Sequence, residues 1–217
     1  MKTDGIIFDL DGTLWNAVEQ IRLAWNQAIG RRPGLRPPLT AQELEGYMGL
    51  PMDEIGRRMF PGESPQSQAA LMEECCQEEH RVLARQGGKL YPELERTLAA
   101  LSAWAPLFIV SNCEDGYIQC FFQASGLGKY FKDFECFGAT GLQKGENNRL
   151  ICRRNGLRAP VYIGDTAGDE QAAKEAEIPF LFARYGFGQA QKPVAVIDAP
   201  SQLLELLEPM EQGGEGC

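Results

Sequence analysis

Apolar and polar positions divide the chain into short apolar runs separated by longer amphipathic stretches. The run at 6–8 is continuously apolar, which is typical of a strand buried on both faces of a parallel sheet. Between the runs, apolar residues recur at a spacing of three and four, as in helices packed on one face. Because strands alternate with helices, the pattern predicts an α/β fold built on a parallel sheet. The further predicted strands are at 107–110, 134–137, 161–163, 180–182 and 194–197.

Residues 15–87 interrupt this alternation, because their pattern predicts helices only. A first helix is expected over about 16–29, two short helices follow before Pro61, and a long helix covers about 65–85. We therefore expect an inserted all-helical cap domain at 15–87. The two flanking segments, 1–14 and 88–217, are then predicted to form one core.

Polar side chains follow several of the predicted strands. Because ligands bind at the carboxyl ends of parallel strands, we expect these side chains to meet at one edge of the sheet. Two of them, Asp9 and Asp11, end a buried strand, where carboxylates are costly unless they meet a cation or a proton. Lys144 is expected in the loop ahead of a helix. The whole group is Asp9, Asp11, Ser111, Asn112, Lys144, Asp165 and Asp169.

Charge and hydropathy exclude several classes of function. The net charge of −9 argues against nucleic acid as a partner, because binding a phosphate backbone needs a basic surface. No apolar run approaches the roughly 18 residues of a membrane-spanning helix, so we expect no membrane association. The first strand begins almost at once, which leaves no room for a signal peptide and predicts a cytoplasmic protein.

Cysteine and histidine usage narrows the chemistry further. The chain has seven cysteines, an odd number, and no CxxC pair, so neither a disulfide framework nor a zinc site is indicated. Two C-x₅-R spacings occur, but neither has the glycine-rich cradle of a cysteine-dependent phosphatase. His80 is the only histidine, which excludes histidine phosphatases and multi-histidine metal sites.

Four stretches of the chain together resemble the motifs of the haloacid dehalogenase superfamily, in that family's order. They are Asp9-Leu-Asp11-Gly-Thr13, the strand ending in Ser111-Asn112, Lys144, and Gly164-Asp165-Thr-Ala-Gly-Asp169. The resemblance covers nearly the whole chain. It implies a Rossmann-like core, dependence on Mg²⁺ and phosphoryl transfer through an aspartyl-phosphate. The position of the insertion resembles the helical cap of phosphoglycolate phosphatase-like members.

The resemblance also implies a role for each motif residue. Asp9 would attack phosphorus, and Asp11 would protonate the leaving oxygen and later deprotonate the attacking water. Ser111 and the backbone N–H of Asn112 would bind the transferring phosphoryl group. Lys144 would balance the charge between Asp9 and the phosphate.

Carboxylates crowded beside a phosphate need a cation, and hard oxygen ligands favour Mg²⁺. By resemblance, the metal ligands are the Asp9 carboxylate, the Asp11 backbone carbonyl and Asp165. Asp169 would support them or act as an alternate ligand.

Several branches of the family remain to be weighed. Asp11 argues for phosphate esters over carbon–halogen bonds, because only an ester has a leaving oxygen to protonate. Residues 15–87 contain no lysine, so the Schiff-base chemistry of the phosphonate-cleaving branch is not expected. A sugar-phosphate mutase uses the same aspartates and stays an alternative, as does a non-catalytic binding module on this fold.

The expected partner is a small phosphorylated metabolite, such as phosphoglycolate, a sugar phosphate or a nucleotide, and the protein is expected to be a monomer or a weak homodimer. Arg57 and Arg58 are the first candidates for binding an anionic substrate tail, although most arginines of the insertion are expected to be solvated. Trp15, Trp25 and Tyr47 are expected to pack in the core, with a place in the pocket as the alternative.

Overall fold

The structure is a computed structural model that describes residues 1–210. The strands, in chain order, are β1 (Lys2–Thr3), β2 (Gly5–Phe8), β3 (Trp15–Asn16), β4 (Lys89–Leu90), β5 (Leu107–Ser111), β6 (Phe131–Cys136), β7 (Pro160–Gly164), β8 (Phe180–Ala183), β9 (Ala195–Ile197) and β10 (Glu208–Pro209). The helices are α1 (Val18–Gly30), α2 (Ala41–Glu45), α3 (Met52–Met59), α4 (Pro65–Gln86), α5 (Leu94–Ser102), α6 (Tyr117–Ser125), α7 (Phe137–Thr140), α8 (Lys144–Asn155), α9 (Ala167–Glu175) and α10 (Leu203–Leu206), with 3₁₀ turns at Leu127–Tyr130 and Pro200–Gln202.

Six of the strands form one sheet in the order β6-β5-β2-β7-β8-β9, and every neighbouring pair is parallel. All four residues of β2 are buried, because helices cover both faces of the sheet. Phe8 lies opposite Ile109 of β5 and Ile163 of β7, so the three central strands end nearly level. The predicted parallel α/β fold is confirmed, and its central strand is the first apolar run of the sequence.

The insertion between β3 and β4 contains only the helices α1 to α4. The apolar stripe of α1, which includes Ile21, Trp25 and Ala28, is buried against α4. The Ser64 side chain accepts a hydrogen bond from the backbone N–H of Ser67 and so caps the start of α4. An all-helical insertion thus stands where the sequence predicts one. Its limits at 15 and 87 as a separate domain stay a prediction.

A short antiparallel pair, not predicted from the sequence, joins the insertion to the core. Trp15 of β3 lies opposite Leu90 of β4. The backbone approaches the indole closely here, since a Cβ on Gly88 would lie 2.7 Å from a Trp15 ring atom. Only glycine fits beside the buried Trp15 without a shift. The two chain segments that connect the insertion to the core, β3 and β4, therefore run side by side.

Several element boundaries differ from those expected. Lys144 is the first residue of α8 rather than part of the preceding loop, because Gln143 and Glu146 form a capping box that starts the helix earlier. Helix α5 begins at Leu94, directly after Glu93, which adopts a left-handed conformation with φ 57°. No helix within residues 1–210 is long and apolar enough to cross a membrane. The last part of the predicted core, 211–217, lies outside the described residues.

Candidate active site

Three neighbouring strands deliver polar side chains to one edge of the sheet. Asp9 directly follows β2, Ser111 ends β5 and Asp165 directly follows β7. Because β5, β2 and β7 are adjacent and parallel, these residues lie side by side at their carboxyl ends. All three are buried. The sequence argument that these groups converge is therefore matched by the geometry of the sheet.

A buried lysine links two of the carboxylates. Lys144 Nζ lies 2.7 Å from Asp9 Oδ1 and 2.7 Å from Asp169 Oδ1. Its side chain is only 5% exposed, so the ammonium group is almost removed from water. A charge in such a place is tolerated only when it is paired and hydrogen-bonded, and here it has two carboxylates as partners.

Asp169 is held on all sides by donors of the protein. Besides Lys144, the hydroxyl of Tyr162 donates to Oδ1 at 3.0 Å. The other oxygen, Oδ2, accepts from Thr166 Oγ1 at 2.6 Å and from the backbone N–H groups of Thr166 and Asp165. Both oxygens are thus occupied. This arrangement suits a residue that positions Lys144 better than one that ligates a metal.

Asp165 sits in a tight backbone cradle. Oδ2 accepts a 2.7 Å hydrogen bond from the backbone N–H of Phe187, and Oδ1 accepts from Thr13 Oγ1 at 3.3 Å. Gly12, with φ +84°, must be glycine, because a Cβ there would lie 2.2 Å from Asp165 Oδ2. The chain therefore closes around this carboxylate from two loops.

One metal ion fits the donor set at this edge. Carboxylate oxygens of Asp9, Asp165 and Asp169 lie within 4.8 Å of one another. Oxygen donors of this kind suit a hard divalent cation. Since Asp169 is already saturated, Asp9 and Asp165 are the carboxylates best able to hold it.

The charges in this cluster shift one another's protonation. Burial raises the pKa of Asp9 to about 7, with Asp169 adding to the rise and Lys144 opposing it. Burial also raises the pKa of Asp165 to about 8, helped by the charges of Asp169 and Asp9. Burial works against the charged form of Asp169 too, but Lys144 and the hydrogen bonds from Thr166 together outweigh it and lower the pKa of Asp169. Asp9 and Asp165, the two carboxylates best placed to hold a metal, are therefore the two whose negative charge the protein does not fully balance.

Asp11 is held in a different way, by an indole and a phenol. Its Oδ1 accepts hydrogen bonds from Trp15 Nε1 at 3.0 Å and from the hydroxyl of Tyr117 at 2.7 Å. Removal from water raises the pKa of Asp11 to about 7, although the Tyr117 hydrogen bond lowers it. Asp11 can therefore carry a proton or release one near neutral pH.

Asp9 and Asp11 open into one small cavity between the sheet edge and the insertion. Ser111 and Asn112 form part of its wall. The Asn112 side chain donates a 2.9 Å hydrogen bond to the carbonyl of Gly49, which belongs to the insertion. This contact ties the sheet edge to the helices that cover it. The free space in the cavity is about 40 Å³, so the insertion lies close over Asp9 and Asp11.

Comparison with known proteins decides the family. Residues 6–183 match the sequence profile of the haloacid dehalogenase-like hydrolases. The chain belongs to this family. A phosphoglycolate phosphatase of Vibrio vulnificus (strain YJ016) is 28% identical over 227 residues, which cover 93% of this chain and 95% of that protein. The resemblance drawn from the motifs is therefore confirmed.

Solved structures of this hydrolase family share the fold. A haloacid dehalogenase-like family protein from Streptococcus pneumoniae superposes with a TM-score of 0.81 at 22% identity, over 94% of this chain and 97% of that one. CbbY from Rhodobacter sphaeroides, in complex with xylulose-(1,5)-bisphosphate, has a TM-score of 0.80 at 17% identity, over 93% and 96% of the two chains. At such identities the match concerns the fold of the hydrolase.

Arg57 and Arg58, expected to bind an anionic substrate tail, lie elsewhere in this hydrolase. Arg57 pairs with Asp53 and Glu54 on the outer side of α3, and its side chain is 55% exposed. Arg58 pairs with Glu54 as well. A helix of this charge pattern forms ion pairs between successive turns, and these hold both guanidinium groups away from Asp9. The structure thus does not bring them to the wall of the candidate cavity.

Some site residues carry no signal that the sequence argument used. Tyr117 donates to Asp11 and Tyr162 donates to Asp169, although both stand outside the four motifs. Trp15 is buried, as expected for a core residue, but its indole N–H also donates a hydrogen bond to Asp11. Trp25 is buried in the core, as expected, and Tyr47 packs against the core, but both also line the cavity. A buried tyrosine or tryptophan needs a partner for its polar atom, and that requirement was the available hint.

Proposed function

We propose that this hydrolase is a Mg²⁺-dependent phosphatase that cleaves a small phosphomonoester through an aspartyl-phosphate. One observation carries the proposal: Asp9 and Asp11 open into the same cavity, but their environments give them different tasks. Lys144, 2.7 Å from Asp9, favours the charged form that a nucleophile needs, against the burial that raises the pKa of Asp9 to about 7. Trp15 and Tyr117 hold Asp11, whose pKa of about 7 suits proton transfer.

In the first step, a carboxylate oxygen of Asp9 attacks phosphorus, and the bond between phosphorus and the ester oxygen breaks. The bonding electrons leave with the ester oxygen, which takes the proton of Asp11 and departs as an alcohol. Proton donation of this kind is typically worth about 10²–10⁴-fold in rate. Lys144 stays between Asp9 and Asp169 and keeps the Asp9 carboxylate in place.

In the second step, Asp11 acts as the base. It takes a proton from a water molecule, whose oxygen attacks phosphorus and displaces Asp9. Inorganic phosphate forms, Asp9 returns as a carboxylate, and Asp11 regains its proton. Tyr117 and Trp15 fix the position of Asp11 through both steps, so one side chain can serve as acid and then as base.

Asp9, Asp165 and the backbone carbonyl of Asp11 are the groups that would hold Mg²⁺, and Asp169 would support them. When bound, the ion neutralises charge on the phosphoryl oxygens and so lets an anionic nucleophile approach. The Ser111 hydroxyl and the backbone N–H of Asn112 would bind the same phosphoryl group. Ser111 is buried at the end of β5, which fixes its position.

The relatives support the class of reaction. The relative from Vibrio vulnificus carries the name phosphoglycolate phosphatase, and its match spans nearly the whole of both chains. The CbbY structure holds a sugar bisphosphate on a closely similar fold. Both names agree with a small phosphorylated substrate. The compartment of the protein and its oligomeric state stay predictions.

The test is phosphate release from 4-nitrophenyl phosphate by the native protein, Asp9→Asn and Asp53→Asn, each with Mg²⁺ and with a chelator. We expect release that needs Mg²⁺, that falls at least about 10³-fold in Asp9→Asn, and that is unchanged in Asp53→Asn, whose side chain lies on the surface. Undiminished release in Asp9→Asn would contradict the assigned nucleophile. Transfer of the phosphoryl group to a sugar phosphate instead of water would indicate the mutase alternative.

A further inference from the structure

Two further carboxylates belong to the cavity, and the phosphatase mechanism does not use them. Glu79 comes from α4 of the insertion, and Glu114 comes from the loop after β5. A carboxylate oxygen of each lies within 4.8 Å of the other. Glu79 is only 1% exposed. The insertion and the core thus each place one acidic side chain in the same small volume.

The hydrogen bonds available to this pair are few. Glu79 accepts one from Trp25 Nε1. Both side-chain oxygens of Glu114 are buried and accept no hydrogen bond from any of residues 1–210. His80 Nε2 lies 2.9 Å from Glu114 Oε1, but without the alignment of a hydrogen bond, and His80 is not part of the cavity wall. Buried oxygens in this state are costly unless a ligand serves them.

Within residues 1–210, the basic side chain that contacts the pair is His80, which approaches Glu114 from outside the cavity wall. The described wall of the cavity contains no lysine, arginine or histidine. The arginines of the insertion are engaged outside it, as Arg31 is with Glu78 and Arg36 with Glu43. Burial raises the pKa of Glu79 well above its usual range, and the charge of Glu114 adds to the rise. A positive group placed between the two would therefore be stabilised strongly.

The pair lies on the side of the cavity where the leaving group departs. Tyr117 connects the two regions, since its hydroxyl donates to Asp11 while the charges of Asp11 and Glu79 both act on it. Asp11 is the residue that protonates the leaving oxygen in the proposed mechanism. An alcohol that takes its proton from Asp11 would therefore lie in the cavity that Glu79 and Glu114 also line.

Aromatic rings complete the surroundings. Trp25, Tyr47 and Tyr117 all line the cavity together with the two glutamates. Aromatic faces combined with carboxylates are the usual protein environment for an ammonium group, because the ring quadrupole attracts a cation. A carboxylate in the same place would meet only negative charge.

We infer that the substrate is a phosphomonoester whose alcohol part carries an ammonium group, and that this group binds between Glu79 and Glu114. The inference rests on the proposed phosphatase function and names its substrate class. It separates this protein from an enzyme for phosphoglycolate, whose alcohol part carries a carboxylate. The relatives that bear that name are 25–28% identical to this chain.

Three esters of matched size test the inference: 2-aminoethyl, 2-hydroxyethyl and carboxymethyl phosphate, assayed with Mg²⁺ by phosphate release. We expect kcat/KM to fall in that order, with at least roughly tenfold between the first and the last, because hydrogen bonds to charged groups are worth that much. A preference for carboxymethyl phosphate would overturn the inference while leaving the phosphatase function intact.

Substitutions of Glu79 and Glu114 test whether these residues cause the preference for the ammonium ester. In Glu79→Gln and Glu114→Gln, we expect the ratio of kcat/KM for 2-aminoethyl over carboxymethyl phosphate to fall roughly tenfold. Glu73→Gln is the matched control, since Glu73 is an exposed residue of the same helix as Glu79. An unchanged ratio in both pocket variants, or an equal fall in the control, would overturn the assignment of these residues.

Binding to Asp9→Asn keeps the inference testable without turnover. Calorimetric titration of this variant with each ester in the presence of Mg²⁺ should show tighter binding of 2-aminoethyl than of carboxymethyl phosphate. The reverse order would overturn the inference even if the native protein released no phosphate from any ester. Titration with Mg²⁺ alone should give the same stoichiometry in Asp9→Asn and Asp9→Asn/Glu114→Gln, and a second site lost with Glu114 would show that the pair holds a metal instead.

Discussion

Two groups of buried carboxylates lie beside the cavity, and they differ in how their charge is balanced. Asp9 and Asp169 share the ammonium group of Lys144, and Asp169 accepts four further hydrogen bonds. Glu79 and Glu114 have no lysine or arginine partner within residues 1–210. The first group has an ammonium counter-ion within the folded chain. The second has only His80 beside Glu114, and the ammonium group inferred above would supply the missing positive charge, so the contrast separates catalytic machinery from substrate recognition.

Removing the internal cation should produce the largest effect. In Lys144→Met, Asp9 and Asp169 would stay buried without their counter-ion, so the free energy of unfolding should fall by about 3–5 kcal/mol and phosphate release should be lost. Urea denaturation in chelator at neutral pH measures the first effect. Lys174→Met, on the exposed face of α9, is the control and should change stability by less than about 0.5 kcal/mol. A similar loss in both variants would remove the contrast between the two groups.

Neutralising Asp169, an acidic partner of Lys144, should lower the free energy of unfolding by less than the loss of Lys144 does. Asp169→Asn keeps the shape of the side chain, but its amide N–H₂ would face either Thr166 or the Lys144 ammonium group, each of which also donates. We expect a loss of about 1–3 kcal/mol in the free energy of unfolding, measured in the same way. A variant as stable as the native protein would show that Lys144 needs only Asp9.

Glu79 should make the protein less stable as pH rises. The pKa of folded Glu79 is raised above its ordinary value of 4.5, so the folded state holds this proton more tightly than the unfolded chain. The native protein therefore loses stability as pH rises above about 4.5, until Glu79 is ionised in the folded state. Glu79→Gln keeps an acceptor for Trp25 and lacks this loss. The variant should match the native protein near pH 4 and exceed it near pH 8, by about 1.4 kcal/mol per unit of raised pKa.

Denaturation of Glu79→Gln and the native protein across this pH range measures the effect, with Glu73→Gln as the control. If the native protein were the more stable one at pH 8, the acidic pair would have an internal partner after all. Adding 2-aminoethyl phosphate should remove the stability advantage of Glu79→Gln near pH 8, because a bound ammonium group stabilises the ionised Glu79 of the native protein.

The smallest effects should come from the outer face of the insertion. Arg57→Ala and Arg58→Ala each break exposed ion pairs with Glu54, and such pairs are worth about 0–1 kcal/mol. We expect changes of that size in the free energy of unfolding and KM values within about twofold of the native one. A tenfold rise in KM for any of the esters would restore the sequence-based role of these arginines as substrate ligands.

The catalytic edge of the sheet could be predicted because it depends on local pattern. An apolar run fixes β2, a parallel sheet puts strand ends together, and Asp9 and Asp165 then have to meet. The role of Lys144 could be predicted, but its place at the start of α8 could not. That start depends on a capping box formed by two flexible side chains, Gln143 and Glu146.

The far wall of the cavity could not be predicted, because it depends on how helices of the insertion pack over the sheet. Glu79 sits in a stretch whose composition is typical of an exposed helical face, with Glu78 beside it. Only the packing of α4 against α1 shows that Glu79 faces Trp25. The pair β3 and β4 escaped prediction for another reason, since two residues are too few for any periodicity.

Two tryptophan indoles donate hydrogen bonds to carboxylates of the cavity, so tryptophan fluorescence can report on the cavity. Of its three tryptophans, Trp15 donates to Asp11 and Trp25 donates to Glu79. Indole emission responds to the charge and protonation of a neighbouring carboxylate, so each ring reports on one side of the cavity without any added label. Single Trp→Phe replacements would separate the two signals. Stopped-flow fluorescence could then time the arrival of an ester at Glu79 and the proton transfer at Asp11 within one turnover.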